Sequence, residues 1–357
     1  MSAIERRIKA IDALRYASTR NYVDGAVTYL SPYISRGVIS TKQIFQHLLS
    51  LELHWSAIEK LVQELAWRDY WQEIWTAKGH AIKSDLKHIQ APIFNHAVPT
   101  AILDATTGID VVDRAIIGLY DTGYMHNHMR MYVASICCNM ANSHWLQPAQ
   151  WMYSHLLDGD LASNHLSWQW VAGAFSNKKY YANQDNINTF FRSSQKGTFL
   201  DVDYSEFDQF EVPNDLVKTT PFILKTILPA VERPPINRDQ TTLIYNYYNL
   251  DPHWYKDQDV QRVLLLEPSV FNDNPVGQNA IDFALKLSEN IPDIKIFVGE
   301  FMDLKKEMSI DKIIYKEHPL NSHYSGREES RDSLSSVKGY YPSFFAFWKK
   351  CKKEIKY

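Results

Sequence analysis

Cysteine is scarce. The 357-residue chain has three, Cys137, Cys138 and Cys351. The first two are neighbours, which cannot bond to each other in a helix without strain, and no Cys-x-x-Cys pair exists to build a zinc or iron–sulfur site. Long apolar runs are also missing: none approaches the ~18 residues of a membrane span. The opening MSAIERRIKA is polar and charged, unlike a secretory leader. An excess of one charge is absent too, since 38 Lys and Arg against 41 Asp and Glu leave a net charge of −3. A nucleic-acid partner would therefore be held by a local patch, not by the overall field. Repeats and low-complexity segments are not found. The expectation is a soluble, cytoplasmic protein of a reducing compartment, with no membrane partner and no iron–sulfur cluster.

Aromatic residues, by contrast, are plentiful, and eight of the ten tryptophans lie before residue 171. Residues 1 to about 190 read as helical: ELHWSAIEKLVQELAWRDYWQEIW, DVVDRAIIGLYDTGYMHNHMRMYVASICCNM and AQWMYSHLLDGDLASN all space apolar residues three and four apart. The polar stretch from Ser193 and the proline-bearing run ending ERPPINRDQ mark a boundary. After residue 240 come TTLIYNYY, RVLLLEP, IKIFVGE and KIIYKEHP, short apolar runs with the amphipathic NAIDFALKLSEN among them. This alternation predicts a small, mostly parallel α/β sheet. SFFAFWKKCKKEI closes the chain as a basic amphipathic helix.

DGDLASNHLSWQW, residues 158–170, combines two acids, a carboxamide and two indoles. Asp160, Asn164 and Trp168 are four apart and share a helical face. Asp158 and Asp160 are ordinary helix-start residues, yet a cap does not explain Asn164 below them, and a polar ligand would supply its partners. Upstream, His126, Asn127, His128 and Arg130 crowd together. Histidines two apart point to different sides of a helix, which disfavours a shared metal; Arg130 can instead pair with a DGD carboxylate. Thr28 and Ser31 stand before a proline at a helix start, where hydroxyls and free N–H groups make either a cap or a phosphate cradle. Glu64, Trp67 and Arg68 sit in a tryptophan stripe whose spacing also suits plain core packing.

Taken in order, Y…TRN…DG.VT.LSPYI..G.IS, ELAWRDYW, TGIDVVDRAI…GYMHNHMRM and DGDLASN…WQW resemble the photolyase/cryptochrome flavoproteins over residues 11 to about 185. The resemblance implies a helical domain holding one non-covalent FAD. It assigns Tyr16, Thr28, Leu30 and Ser31 to the ribityl and diphosphate portion, and Arg130 with Asp158 to a salt bridge beside the isoalloxazine. Asp160 matches a residue near the adenine-side hydroxyls and the flavin ring. Asn164 matches the residue facing flavin N5. Trp168 and Trp145 match the inner two members of an electron-conducting tryptophan chain. The outermost position falls near Phe94, and phenylalanine is far harder to oxidise, so either a nearby tyrosine takes over or the chain ends differently.

For substrate, Glu64, Trp67, Asn127, Met131 and Trp170 match residues around a flipped-out cyclobutane pyrimidine dimer, with Trp67 and Trp170 as an apolar wedge and Glu64 on a base edge. Arginines that often meet DNA phosphates are replaced by His128 and Asn183, which weakens phosphate binding; Lys178, Lys179 and Arg20 are available to compensate. VQRVLLLEPSVFNDNPVGQNAIDFALKLSENIPDIKIFVGEF resembles the start of the family's antenna domain, and YYPSFFAFWKKCKK the segment where such domains end. The implied architecture is mostly α: a helical FAD-binding domain over 1–200, a linker over 201–240 and a small α/β, Rossmann-like, antenna-like domain over 241–357, in rearranged order. An unrelated α/β domain is the alternative, and no antenna chromophore is assigned. The implied activity is light-driven splitting of cyclobutane dimers, with single-stranded or exposed sites in DNA as partner. The alternative is a blue-light photoreceptor of the cryptochrome type, with a protein partner.

Overall fold

A computed structural model describes residues 1–355; the last two residues of the expected 241–357 range lie outside the described residues. The chain divides into two compact units. One, the α/β unit, joins Met1–Ile11 and Thr28–Ala77 to the chain from Leu224 onward, and the other, the helical unit, joins Asp12–Val27 to Lys78–Ile223. This division does not follow the expected consecutive ranges. The difference has a physical origin in the long helix Trp55–Lys78, which is held to the C-terminal helix Phe344–Glu354 by ring contacts. Trp67 stacks on Phe344, Tyr70 packs on Phe347 and Trp55 stacks on Trp348.

In the α/β unit, the four predicted strand segments form β1 Thr242–Tyr245, β2 Gln261–Leu266, β3 Lys295–Val298 and β4 Ile313–Lys316. A fifth strand, β5 Arg327–Glu329, adds an edge. The order is β3-β2-β1-β4-β5 and every pairing is parallel. Every residue of β1 and β2 is buried, as expected of central parallel strands covered on both faces. On one face Ile244, Val263, Leu265, Phe297, Ile313 and Tyr315 form a core with Phe301 and Leu304. The predicted crossover helix, Gln278–Ser288, connects β2 to β3.

The helical unit is built around Asp110–Thr122, Asn127–Ser135, Leu146–His155 and Leu161–Ala172. The segment from Asp110 to Met140, which reads as one periodic run, is broken at Gly123, whose φ of +68° ends the first helix. A side chain there would collide with Leu157, and the Gly123 carbonyl accepts from the Leu157 backbone N–H at 2.9 Å. That approach sets the DGD loop beside the chain leading to Arg130. Beyond Ser135 the helix widens into a π turn, Ile136–Met140, which buries Cys137 and Cys138 completely. A two-stranded pairing of Val98–Pro99 with Thr219–Thr220 is the unit's small exception to an all-helical reading. No helix among the described residues is long and apolar enough to cross a membrane.

Candidate functional site

The helical unit contains ten of the sequence-singled residues. Asp160 caps Leu161–Ala172, its carboxylate accepting from Ser163 N at 2.8 Å. Asp158 does not cap. Arg130 NH2 donates to both of its carboxylate oxygens at 3.0 Å, while Arg130 Nε donates to the Met125 carbonyl at 2.9 Å. Arg130 is half-buried and Asp158 buried, so the guanidinium is fixed at two points and the pair cannot open without leaving a charge in the interior.

Asn164 lies one turn beyond the cap. Its Nδ2 donates to the Ala149 carbonyl at 2.8 Å, which orients the carboxamide and turns its oxygen elsewhere. Trp168, another turn on, is 2 % exposed and shares one core with Trp145, which is wholly buried. Trp170, two residues later, is 38 % exposed. One helix thus carries a half-buried carboxamide one turn before a buried indole, and an exposed indole. Asn127 is exposed and Met131 half-buried, one turn apart on Asn127–Ser135. Tyr16 is half-buried on the short helix Ala13–Thr19.

His126 and His128 serve the fold. His126 Nδ1 accepts from His128 N, and His128 Nδ1 lies 3.1 Å from the Asn21 carbonyl. Burial pushes His126 down to about 4 and lowers His128 as well, so both are neutral near pH 7. Asn183 caps Gln184–Phe191 through Asn186 N. Both positions are committed to internal hydrogen bonds.

The α/β unit contains the other five. Leu30, not a hydroxyl residue, occupies the cap position of Ser31–Ser35, and Pro32 is the second residue of that helix. The cap reading of Thr28 and Ser31 is therefore corrected: Thr28 Oγ1 accepts from Leu30 N at a long 3.4 Å. Arg68 ties this helix to the long one by donating to Ser35 Oγ at 2.6 Å. Glu64 faces Lys60 at 3.8 Å, one turn away. The Trp67 ring is stacked on Phe344 with centroids 3.8 Å apart and planes 10° from parallel.

Sequence reasoning missed Asp85 and Gln90. Trp145 Nε1 donates to Asp85 Oδ1 at 2.7 Å, and Trp145 N donates to Gln90 Oε1 at 3.0 Å. Gln90 N in turn donates to Asp85 Oδ2 at 2.8 Å. The loop holding Asp85 is anchored by Gln169, beside Trp168, which accepts from Leu86 N and donates to the Ile82 carbonyl. Nothing in SDLKHIQ signals this, because a loop has no periodicity and the partner lies 60 residues away.

The residues present fit a flavin. Among the described residues, the Ser163 hydroxyl is buried without a hydrogen-bond partner, the Asn164 oxygen is turned away from its fixed amide nitrogen, and the Arg130–Asp158 pair supplies a fixed dipole. Residues 61–203 match the family described as the FAD binding domain of DNA photolyase. That puts the helical part of the chain in the flavin-binding class. A deoxyribodipyrimidine photo-lyase of Synechococcus sp. is 33% identical over 169 residues, 44% of this chain and 35% of that protein. One of Streptomyces griseus is 32% identical over 149 residues, 42% of this chain and 32% of that protein. Among solved structures, the Synechocystis sp. cryptochrome matches with a TM-score of 0.49 and 24% identity, covering 53% of this chain and 42% of that one. Over residues 61–203 the chain is similar to the photolyase/cryptochrome flavoproteins. It spans about a third of the length of these curated relatives.

Proposed function

We propose that the protein is a light-driven, flavin-dependent lyase that splits cyclobutane pyrimidine dimers in DNA. The observation that carries this reading is the helix Leu161–Ala172, where the half-buried Asn164 stands one turn before the buried Trp168 and Trp170, two residues on, is exposed. Such a helix can serve a cofactor on one side and a base on the other. When bound, reduced FAD would supply the photoexcitable electron donor; the chain's part is to bind, orient and exclude water. Within the helical unit, Arg130 and Asp158 would hold the isoalloxazine side, with Tyr16 and Asp160 along the rest of the cofactor; Thr28, Leu30 and Ser31 are assigned to it by the resemblance alone. The Asn164 oxygen can accept from a protonated ring nitrogen. Trp170 offers a stacking face to a flipped pyrimidine, an interaction worth roughly 1–3 kcal/mol per base. Glu64, Trp67, Asn127 and Met131 complete the assignment to substrate.

His128 and Asn183, committed inward, leave fewer phosphate contacts to offset the few kcal/mol of extracting a base from a duplex. Single-stranded or exposed dimers are therefore the proposed substrate. The test is loss of dimers from matched single- and double-stranded oligonucleotides under blue light with reduced, FAD-loaded protein. Repair of the single strand at higher yield is expected. A second reading, a photoreceptor of the cryptochrome type, draws on one observation: Phe344 covers a face of the Trp67 ring assigned to the lesion. If both oligonucleotides are left untouched, that reading replaces the first.

A further inference from the structure

Beyond Trp145 the electron chain expected from the sequence reaches Phe94, a ring 68 % exposed. The backbone N–H of Phe94 donates to the Asn142 carbonyl at 2.9 Å. Phenylalanine cannot hold an oxidising equivalent that tryptophan has released. Among the described residues, the rings packed against Trp145 are those of His144 and His165, not a tyrosine, so a hole arriving at Trp145 is stabilised there or returns.

Trp145 is buried completely, where a bare cation would be costly. Its indole N–H, however, donates to the Asp85 carboxylate at 2.7 Å. Removing an electron from an indole makes its N–H a far stronger acid, and a carboxylate on that N–H is both the nearest negative charge and the nearest base. Asp85 is held for this. Gln90 N donates to its other oxygen at 2.8 Å, and His144 Nε2 lies 3.3 Å from the oxygen that receives the indole. His144 Nδ1 accepts from Leu146 N, so its proton is on Nε2 and points at the carboxylate. The Asp85 side chain is 16 % exposed, enough to meet water from one side.

We infer that Asp85 is the proton acceptor for Trp145 in flavin photoreduction, and that this pair ends the electron chain one residue earlier than a three-tryptophan route. The inference rests on the flavoprotein reading above. With oxidised FAD bound and photoexcited, Trp168 would give up one electron and Trp145 would refill it, leaving the oxidising equivalent on the Trp145 indole. The Nε1 proton passes to Asp85 Oδ1, leaving a neutral indolyl radical. A thiolate from solution later supplies the electron and Asp85 returns the proton, restoring both residues. Gln90 and His144 act through Asp85 and are positioning residues.

The experiment is flash spectroscopy of FAD-loaded, oxidised protein with a thiol in solution, comparing the parent with Asp85→Asn and Asp85→Glu. The parent should show the deprotonated indolyl radical, slowed in deuterated water. Asp85→Asn keeps a hydrogen-bond acceptor but removes the charge. It should leave the radical cation, hasten charge return and lower the yield of lasting photoreduction by roughly a hundredfold, the lower end of what a positioned general base contributes. Asp85→Glu should recover most of it. Without flavin, the Trp145 indole N–H proton resonance should move upfield in Asp85→Asn and stay near the parent position in Asp85→Glu. Should Asp85→Asn not fold, deprotonation of the indole radical in the parent should be independent of buffer concentration, as an internal base requires; a rate that rises with buffer base would overturn the role. Parent-like radical kinetics in Asp85→Asn, with photoreduction abolished in Trp168→Phe, would overturn Asp85 alone. Photoreduction unchanged in Trp168→Phe would overturn the electron route and Asp85 with it.

Discussion

The helical unit and the α/β unit treat their candidate residues in opposite ways. In the helical unit, Arg130, Asn164 and Trp145 each donate a directional hydrogen bond to a carboxylate or a backbone carbonyl, and Asp158 accepts from Arg130. In the α/β unit, Trp67 is enclosed by rings: Phe344 stacked upon it, with Tyr70 and Trp71 beside it. Hydrogen bonds fix angles as well as distances, whereas ring packing fixes volume and tolerates rearrangement. Redox chemistry requires fixed geometry, and the residues assigned to it lie where polar networks impose that. The lesson is that one family's motif can be kept in sequence while its physical setting differs from one unit to the next.

The comparison can be broken most directly at Arg130. Arg130→Ala takes the guanidinium away from the buried Asp158 carboxylate, which should cost about 3–5 kcal/mol. Chemical denaturation monitored by tryptophan fluorescence measures it; a loss under 1 kcal/mol would show that the pair is not what holds the loop.

The α/β unit has its own half-buried acid, Asp69, on the long helix. Asp69 accepts from Thr41 Oγ1 at 3.1 Å and from Leu334 N at 2.7 Å, yet burial pushes its carboxyl from 3.8 up to about 6. Because the folded value lies above the unfolded one, its contribution to stability is complete below pH 4 and is lost as pH rises through 6. The swing is about 3 kcal/mol. Denaturation curves from pH 4 to 7 should therefore show a fall that Asp69→Asn removes, and equal slopes for both proteins would contradict it.

The smallest effect sharpens the account of Trp67. A double-mutant cycle over Trp67→Leu and Phe344→Leu should give a coupling of roughly 0.5–1.5 kcal/mol, the worth of an aromatic pair beyond burial. Additive losses would mean that the rings touch without stabilising each other.

Much of the architecture was legible. β1 to β4 lie within apolar runs that two-sided burial requires, and Asp160 caps where an acid before LASN should. The edge strand β5 was not, because Arg327, Glu328 and Glu329 have no apolar residue to announce a strand; it exists through parallel pairing with β4. The two acids of DGD were equally good caps on paper, and only the approach at Gly123 separates them into a cap and an ion-pair partner. Trp67 was readable either as core or as site, and the decision depends on a helix nearly 280 residues away in sequence. Asp85 was illegible, since its significance comes from a tertiary contact made by a loop.

The π turn at Ile136–Met140 has a consequence for redox selectivity. Cys137 and Cys138 are sealed in the same core as Trp145 and Trp168, and burial pushes both thiols well above the usual cysteine range. The nucleophilic and readily oxidised form of cysteine is the thiolate, and at neutral pH this core has essentially none. A widened helical turn thus keeps two sulfur atoms beside the indoles while withholding the form that would compete with them as electron donors. If the indoles carry electrons as proposed, they do so without competition from these thiols.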